Sequence, residues 1–372
     1  MVSAGISVLV VDDSIFLRSF LTKILTSDPL ISEVKTASDG AAAIELLATY
    51  KPDIITLDIE MPRMNGLETL KVIKSRFKIP VLMISSLTRK GASITINALE
   101  LGAEDWIQKP ENAFDMASQE DLKKDLLQKI RYITKRSEVQ VTPFEPKKFV
   151  EPLRPDSDNM NNIQFKEHVI KNATKPTGSV RLTFNIVAIG ISTGGPSALN
   201  KVVPLLPADL NAAVIIVQHM PATFTNVLSE RLNEISKMKV KEAQDDELLS
   251  KGTVYVIPGD KHVRLKEVNG QLKICLDKFP KIGGFRPSAE ALFYYVAEAA
   301  RKNAIGVIMT GMGSDGSDNI GMIKRYSNKT IAQDEASCVI FGMPKVAIQK
   351  GNVDYILPLD KIVDKICELV IK

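Results

Sequence analysis

Residues 186–197 read IVAIGISTGGPS. Ile186 to Ile189 form an apolar run of strand length, and the chain then meets Gly190, Ser192, Thr193, Gly194 and Gly195 before Pro196. From Ser197 a helical pattern opens and continues to Val202. A serine therefore stands on a glycine-rich turn between a strand and a helix, and Gly190-Ile-Ser192-Thr-Gly194 fits the G-x-S-x-G pattern of a nucleophile elbow. Free N–H groups at the helix start could stabilise an oxyanion. The same stretch also suits the phosphate-cradling turn of a dinucleotide-binding fold, and by itself it does not separate the two.

The remainder of the chain decides. Its 372 residues suffice for two domains of ordinary size, and 45% apolar with 25% charged residues describe a soluble globular protein. The longest apolar runs are strand-length, short of the ~20 residues that span a bilayer. The start, MVSAGISVLVVDD, lacks a basic region and runs into a core-like strand, so no signal peptide is expected. Cys275, Cys338 and Cys367 have no metal-ligand spacing and suggest a reducing cytoplasm. The net charge of +4 equals the excess within residues 120–181, which carry 13 Lys/Arg against 9 Asp/Glu. The basicity thus lies in a connecting segment and does not argue for nucleic-acid binding.

From the start, strands at 6–12, 33–37, 53–57, 80–85 and 105–108 alternate with helices at 16–26, 40–49, 66–77, 91–101 and 118–133. That rhythm means parallel β-α units, whose functional edge is the carboxyl end of the strands. Asp12, Asp13, Asp58, Ser85 and Lys109 all fall at such ends. Three carboxylates in one spot repel unless a cation joins them, and an all-oxygen site suits Mg²⁺. Lys109 adds a point charge suited to a phosphoryl group. Each acid alone is explained as well by a helix cap or a solvated turn; the set is not.

Residues 134–183 lose periodicity and gain Pro143, Pro146, Pro152, Pro155, Pro176 and Gly178, so they read as a linker. Phe144, Phe149 and Phe165 could anchor it on a surface. A second parallel α/β unit follows from about 184, with strands at 213–217, 253–257, 304–309, 329–332 and 353–356. Helices are expected at 222–236, from Ser288 to Lys302 and at 359–370, and a hairpin at 262–276 turns at Asn269-Gly270. Three strand ends of this unit present Ser192, His219 and Asp315. A serine needs a base within reach, and an imidazole needs an acid to fix its tautomer. Of three histidines, His168 lies in the linker and His262 starts the hairpin, which leaves His219 as the base. Gly311, Gly313 and Gly316 allow close packing beside the nucleophile, and the N–H of Met312 is a candidate oxyanion donor. A structural histidine and an Asx-turn at Asp315 are the plainer explanations of those two residues taken singly. Against a dinucleotide site, G-x-G-x-x-G is absent and the second strand ends in Gln218-His219, with no acid for a ribose.

Two resemblances follow. Residues 5 to about 130 resemble a response-regulator receiver domain through Asp12-Asp13, Asp58-Ile-Glu60-Met-Pro62-Arg-Met-Asn65-Gly66, Ser85 and Lys109-Pro110. That resemblance implies phosphorylation of Asp58 by a histidine kinase. It also implies Mg²⁺ held by Asp13, Asp58 and the Glu60 carbonyl with help from Asp12, Lys109 on the phosphoryl oxygens, and Ser85 and Trp106 as switch residues. Asn65 stands where many relatives have Asp, with little effect expected. Residues 184–372 resemble the catalytic domain of the CheB family of chemotaxis protein-glutamate methylesterases. The matching segments are GISTGGP (190–196), QHMP (218–221), PGDKH (258–262), RPS (286–288), TGMGSDG (310–316) and GMP (342–344). By that match Ser192 is the nucleophile, His219 the base and Asp315 its orienting acid, and Thr193 and Met312 line the oxyanion region. Glu290 replaces the usual Asp.

The family resemblance implies two domains, each a doubly wound, mostly parallel sheet: a receiver at 1–133 and a larger Rossmann-like esterase at 184–372. It implies hydrolysis of glutamate methyl esters on chemoreceptors, and in some relatives glutamine deamidation, switched by a chemotaxis histidine kinase. No metal is expected for the hydrolysis, and neither nucleic acid nor membrane insertion is expected. Two other outputs compete: a binding-only domain with a decayed site, and a nucleotide-binding α/β domain.

Overall fold

The computed structural model describes residues 5–109, 116–134 and 182–370. The expected linker and its phenylalanines therefore lie outside the described residues, apart from Thr134, Leu182 and Thr183. The first sheet is built from β1 (Ile6–Val11), β2 (Ile31–Ala37), β3 (Ile54–Asp58), β4 (Val81–Ser85) and β5 (Asp105–Gln108). All its pairs are parallel, in the order β2-β1-β3-β4-β5. Helices α1 (Ile15–Thr26), α2 (Gly40–Leu47), α3 (Gly66–Arg76), α4 (Arg89–Glu100) and α5 (Met116–Ile133) connect or follow the strands. Local chemistry starts them. Ser14, Asp39 and Thr88 cap α1, α2 and α4 with their side chains, and Asn65 forms a reciprocal capping box with Glu68 on α3.

The second sheet has seven strands in the order β15-β14-β13-β6-β7-β10-β8, again with every described pair parallel. Its members are β6 (Asn185–Ile191), β7 (Ala212–Gln218), β8 (Lys239–Glu242), β10 (Thr253–Val256), β13 (Ala304–Ile308), β14 (Thr330–Gln333) and β15 (Tyr355–Leu357). Strand β9 (Glu247–Leu248) joins the hairpin β11 (His262–Val268) and β12 (Gln271–Asp277) in a small antiparallel sheet. The hairpin turns at Asn269-Gly270, with φ of 51° and 77°, as a two-residue primed turn requires. The helices are α6 (Gly195–Val202), α7 (Ala222–Ile235), α8 (Ala289–Ala300), α9 (Ile320–Ser327), α10 (Met343–Gln349) and α11 (Ile362–Leu369). Three differences from the sequence reading stand out. Strands β8 and β9 and helices α9 and α10 are additions to the sequence reading; β8 and β9 are polar and lack an apolar run. Strand β6 runs two residues past Ile189. The expected last helix from 359 opens with a short 3₁₀ turn behind Pro358 before α11.

The register brings the site together. Strand β6 is central: Ile191 pairs with Gln218 on one side and Gly190 with Ile308 on the other. The segments after β6, β7 and β13 therefore emerge side by side. All seven residues of β6 and of β7 are buried, as a parallel sheet covered on both faces demands. Among the described residues no helix is long and apolar enough to cross a membrane.

The two units pack on one another through α4 and β5 of the first and α6 and α7 of the second. Apolar contact is continuous from Ile96, Leu99 and Trp106 to Leu199, Val203, Phe224 and Leu228. The indole of Trp106 stacks on Phe224, with centroids 4.0 Å apart and planes within 10°. Around it, Arg89 pairs with Glu230 at 2.9 Å, and Glu100 accepts from Arg231 at 2.8 Å and Asn200 at 3.1 Å. Those ion pairs are substantially exposed and add little; the aromatic stack and its buried surroundings dominate. Trp106 is the chain's one tryptophan, so it reports on this contact. Phe224→Leu should red-shift its emission and raise its quenching by acrylamide; unchanged emission and quenching would mean that the stack does not hold the two units together.

Candidate active site and phosphoacceptor site

Ser192 leaves the end of β6 with its N–H bonded to the Thr310 carbonyl at 3.0 Å. Its own carbonyl accepts from Gly195 N at 2.8 Å and from the Gln218 side chain at 3.0 Å. The turn is less strained than a nucleophile elbow implies. Ser192 has no positive φ; the left-handed position is Gly194, at φ 76°. Gly311 allows the close approach of the loop after β13, since a Cβ there would stand 2.8 Å from the Ser192 Cβ.

His219 Nδ1 lies 3.1 Å from Ser192 Oγ, and its Nε2 lies 2.7 Å from Asp315 Oδ2. With Asp315 ionised, Nε2 carries the proton and Nδ1 is the free base facing the serine. Asp315 is buried and held by several donors at the start of α8. Ser288 Oγ donates to its Oδ1 at 2.6 Å, Ala289 N to its Oδ2 at 2.6 Å, and Glu290 N to its Oδ1 at 3.2 Å. Burial alone would raise its pKa, but the His219, Ser288 and Ala289 contacts more than offset this and hold it below the usual carboxylate value. Among the described residues, no acceptor meets the backbone N–H of Thr193 or of Met312. Thr193 directly follows Ser192 and Met312 directly follows Gly311, whose backbone approaches Ser192, which makes both candidates for an oxyanion site.

Gln218, Ser288 and Glu290 carry structure that sequence reasoning did not assign. The Gln218 amide donates to the carbonyls of Ser192 and His219, tying the two strand ends together. Glu290 accepts from Asp318 N at 2.9 Å and Asn319 N at 2.7 Å, and so spans from α8 to the turn just beyond Asp315. Burial, then the neighbouring Asp315, pushes its pKa to about 8, against the pull of those two N–H groups. His262 stays outside the constellation. It is buried, stacked on Phe279 with centroids 4.1 Å apart, and 3.2 Å from the Pro280 carbonyl through Nε2. Burial lowers its pKa to about 4.

The first unit's polar strand ends also meet. One carboxylate oxygen each of Asp12, Asp13 and Asp58 lie within 4.8 Å of one another. Lys109 Nζ stands 2.7 Å from Asp58 Oδ2 and 3.5 Å from Asp12 Oδ2; apart from that ammonium, the described residues offer these two buried oxygens no partner. An all-carboxylate cluster whose buried oxygens have one ammonium between them fits a hard divalent cation such as Mg²⁺. Burial raises the pKa of Asp58 to about 6. Burial also pushes Asp12 above the usual carboxylate value. Burial would lower Lys109, but Asp58 and Asp12 outweigh it and raise it. Glu60 lines a pocket of about 20 Å³ with Asp58, Ser85 and Lys109. Ser85 accepts a 2.7 Å bond from the Thr95 hydroxyl of α4, a partner that no motif revealed.

A parallel α/β unit with an acidic, lysine-flanked pocket, joined to a second whose strand ends align serine, histidine and aspartate, defines a response regulator with a hydrolase-type output. Comparison with known proteins agrees. The profile of the response regulator receiver domain family matches residues 8–119, and that of the CheB methylesterase family matches 187–366. The protein-glutamate methylesterase/protein-glutamine glutaminase of Pyrococcus horikoshii is 42% identical over 365 residues, 98% of this chain and 94% of that one. Its namesake from Thermotoga maritima is 42% identical over 371 residues, covering 100% of both chains. The crystal structure of the Thermotoga maritima CheB methylesterase catalytic domain superposes with a TM-score of 0.50 at 44% identity, covering 50% of this chain and 100% of that one. The chain belongs to the CheB methylesterase family.

Two outcomes are expected. Glu290→Ala removes the acceptor of the exposed Asp318 N–H and the half-buried Asn319 N–H; since water can partly replace it, the loss should be about 1 kcal/mol of stability, with turnover reduced severalfold through a loosened Asp315. Equal activity and melting temperature would show that the turn holds itself. For His262, the unfolded chain takes up a proton near pH 6.5 and the folded one near pH 4. Stability is therefore complete above pH 6.5 and falls by about 3 kcal/mol towards pH 4. Denaturant titrations of His262→Gln should show a flatter profile in that window, and an unchanged slope would acquit this residue.

Proposed function

We propose that this chain hydrolyses glutamate methyl esters on chemoreceptors during chemotactic adaptation, and that phosphorylation of Asp58 by a chemotaxis histidine kinase activates it. The observation that carries the hydrolase reading is the hydrogen-bonded chain from Ser192 Oγ through His219 to Asp315, at 3.1 and 2.7 Å. Ser192 Oγ attacks the ester carbonyl while His219 Nδ1 takes its proton. The oxyanion forms against the N–H groups of Thr193 and Met312. His219 returns the proton to the departing methanol, and a water activated by the same nitrogen clears the acyl-enzyme to give the carboxylate. Asp315 fixes the tautomer and stabilises the imidazolium. Attack on a glutamine side chain follows the same course with ammonia leaving, which supports deamidation as a second activity of the one site.

The receiver supplies the switch. Mg²⁺ bound by Asp12, Asp13 and Asp58 with the Glu60 carbonyl would neutralise charge during phosphoryl transfer to Asp58. Lys109 would contact the phosphoryl oxygens, and Ser85 would turn towards them. Ser85 would then give up its bond from Thr95 on α4, the helix that packs on α6 and α7 directly behind Ser192 and His219. The division of the chain follows: a receiver to residue 133, a connecting segment at 134–183 and an esterase from 184, acting in the cytoplasm without nucleic acid or membrane insertion.

The test is methanol release from methylated receptor membranes, with and without a small phosphodonor and Mg²⁺. Ser192→Ala should lose at least a thousandfold in rate, and the phosphodonor should raise wild-type release severalfold. Serine-dependent release that ignores the phosphodonor would remove the switch. No release from folded protein would remove the esterase.

A further inference from the structure

The ring of Phe285 lies flat on the imidazole of His219, with centroids 4.1 Å apart and planes within 8°. Both imidazole nitrogens are engaged in the ring plane, by Ser192 and Asp315, so Phe285 covers a face that no polar partner uses. The backbone fastens this residue on both sides. Phe285 and Ile282 exchange N–H···O bonds of 2.9 and 3.0 Å around Gly283 and Gly284, whose φ values of 57° and 92° suit glycine. Next in the chain, Arg286 donates to Asp260 Oδ1 at 2.9 Å and to the carbonyls of Lys278 and Phe279 at 3.1 Å each. A half-buried loop is thus pinned around one aromatic ring.

We infer that Phe285 is a positioning residue for the base: it keeps the imidazole plane aligned between Ser192 and Asp315, and its π face stabilises the imidazolium formed when the serine proton moves. The inference rests on the serine-hydrolase reading above. An aromatic face attracts a cation within ~6 Å of its centroid far more than a neutral ring, so the contact strengthens as charge develops. The other charged or titratable groups around His219 come from separate elements. Asp315 follows β13, with Glu290 of α8 behind it. Arg286 adjoins Phe285 and is paired with Asp260, which also meets Lys278 at 3.3 Å. His262 opens β11 against Phe279.

The test uses the full chain and a fluorophosphonate probe. The Ser192 oxygen bonds to phosphorus, fluoride leaves, and the serine proton passes to His219. Labelling rate against pH is compared for wild type, Phe285→Leu and Phe285→Tyr, with Ser192→Ala as blank. Methanol-release kcat and KM and the melting temperature accompany it. Phe285→Leu should label about tenfold more slowly at neutral pH, with the acidic limb of its profile about half a pH unit lower and KM unchanged. Phe285→Tyr should stay within about twofold of wild type. Wild-type behaviour of the leucine variant, or equal loss in the tyrosine variant, overturns the inference. If this pattern holds but receptor esters are not cleaved, the substrate reading falls and the positioning role stands. Absence of labelling at Ser192 in wild type overturns both.

Discussion

The second unit is organised around one buried anion. Asp315 sits where α8 begins, and the start of that helix supplies Ser288 Oγ and the N–H groups of Ala289 and Glu290 to its two oxygens. A carboxylate removed from water stays ionised only when such donors replace the water. Because it stays ionised, it can hold the Nε2 proton of His219 and leave Nδ1 bare towards Ser192. Other features serve to keep that anion in place. Glu290 ties the turn after Asp315 back to α8, and Gly311 lets the same loop approach the nucleophile.

The arrangement also explains which parts of the sequence were readable. Parallel strands are buried on both faces, so β6, β7 and β13 appear as plain apolar runs, and the residues that end them are conspicuous because they are polar. Ser192, His219, Asp315, Asp58 and Lys109 were all found on that contrast. The supports behind them were not. Gln218 occupies a strand end too, but its amide works on backbone carbonyls, which no motif advertises. Glu290 and Ser288 act through main-chain N–H groups whose direction depends on where α8 starts. The Ser85–Thr95 bond and the Trp106–Phe224 stack join residues 10 and 118 positions apart, a proximity that periodicity cannot encode. The hydrophobic pattern likewise missed α9 and α10, which follow glycine-rich loop segments read as turns.

The two sites share a mechanical border. Helix α4 is bonded to the phosphoacceptor pocket through Thr95 and Ser85, and its outer face packs against α6 and α7. Those two helices begin at Gly195 and Ala222, three residues beyond Ser192 and three beyond His219. Trp106, on the strand beside Ser85, is stacked on Phe224 in the first turn of α7. A change at Asp58 therefore has a short packed route to the elements that carry Ser192 and His219. Close-packed helices do not yield gradually: an interface of this kind stays docked or separates. The ion pairs around the stack are exposed and weak, so on the proposed reading a charge-changing modification at the buried Asp58 pocket has only a modest energy to overcome. Asp58 is suited to that task for the same reason that Asp315 is suited to its own. Both are buried carboxylates, but Asp315 is fully provided with donors and kept ionised, whereas Asp58 faces chiefly Lys109, its pKa pushed up to about 6 by burial. The first is fixed as an anion by four donors; the second is held by the Ile59 N–H and the Lys109 ammonium alone among the described residues.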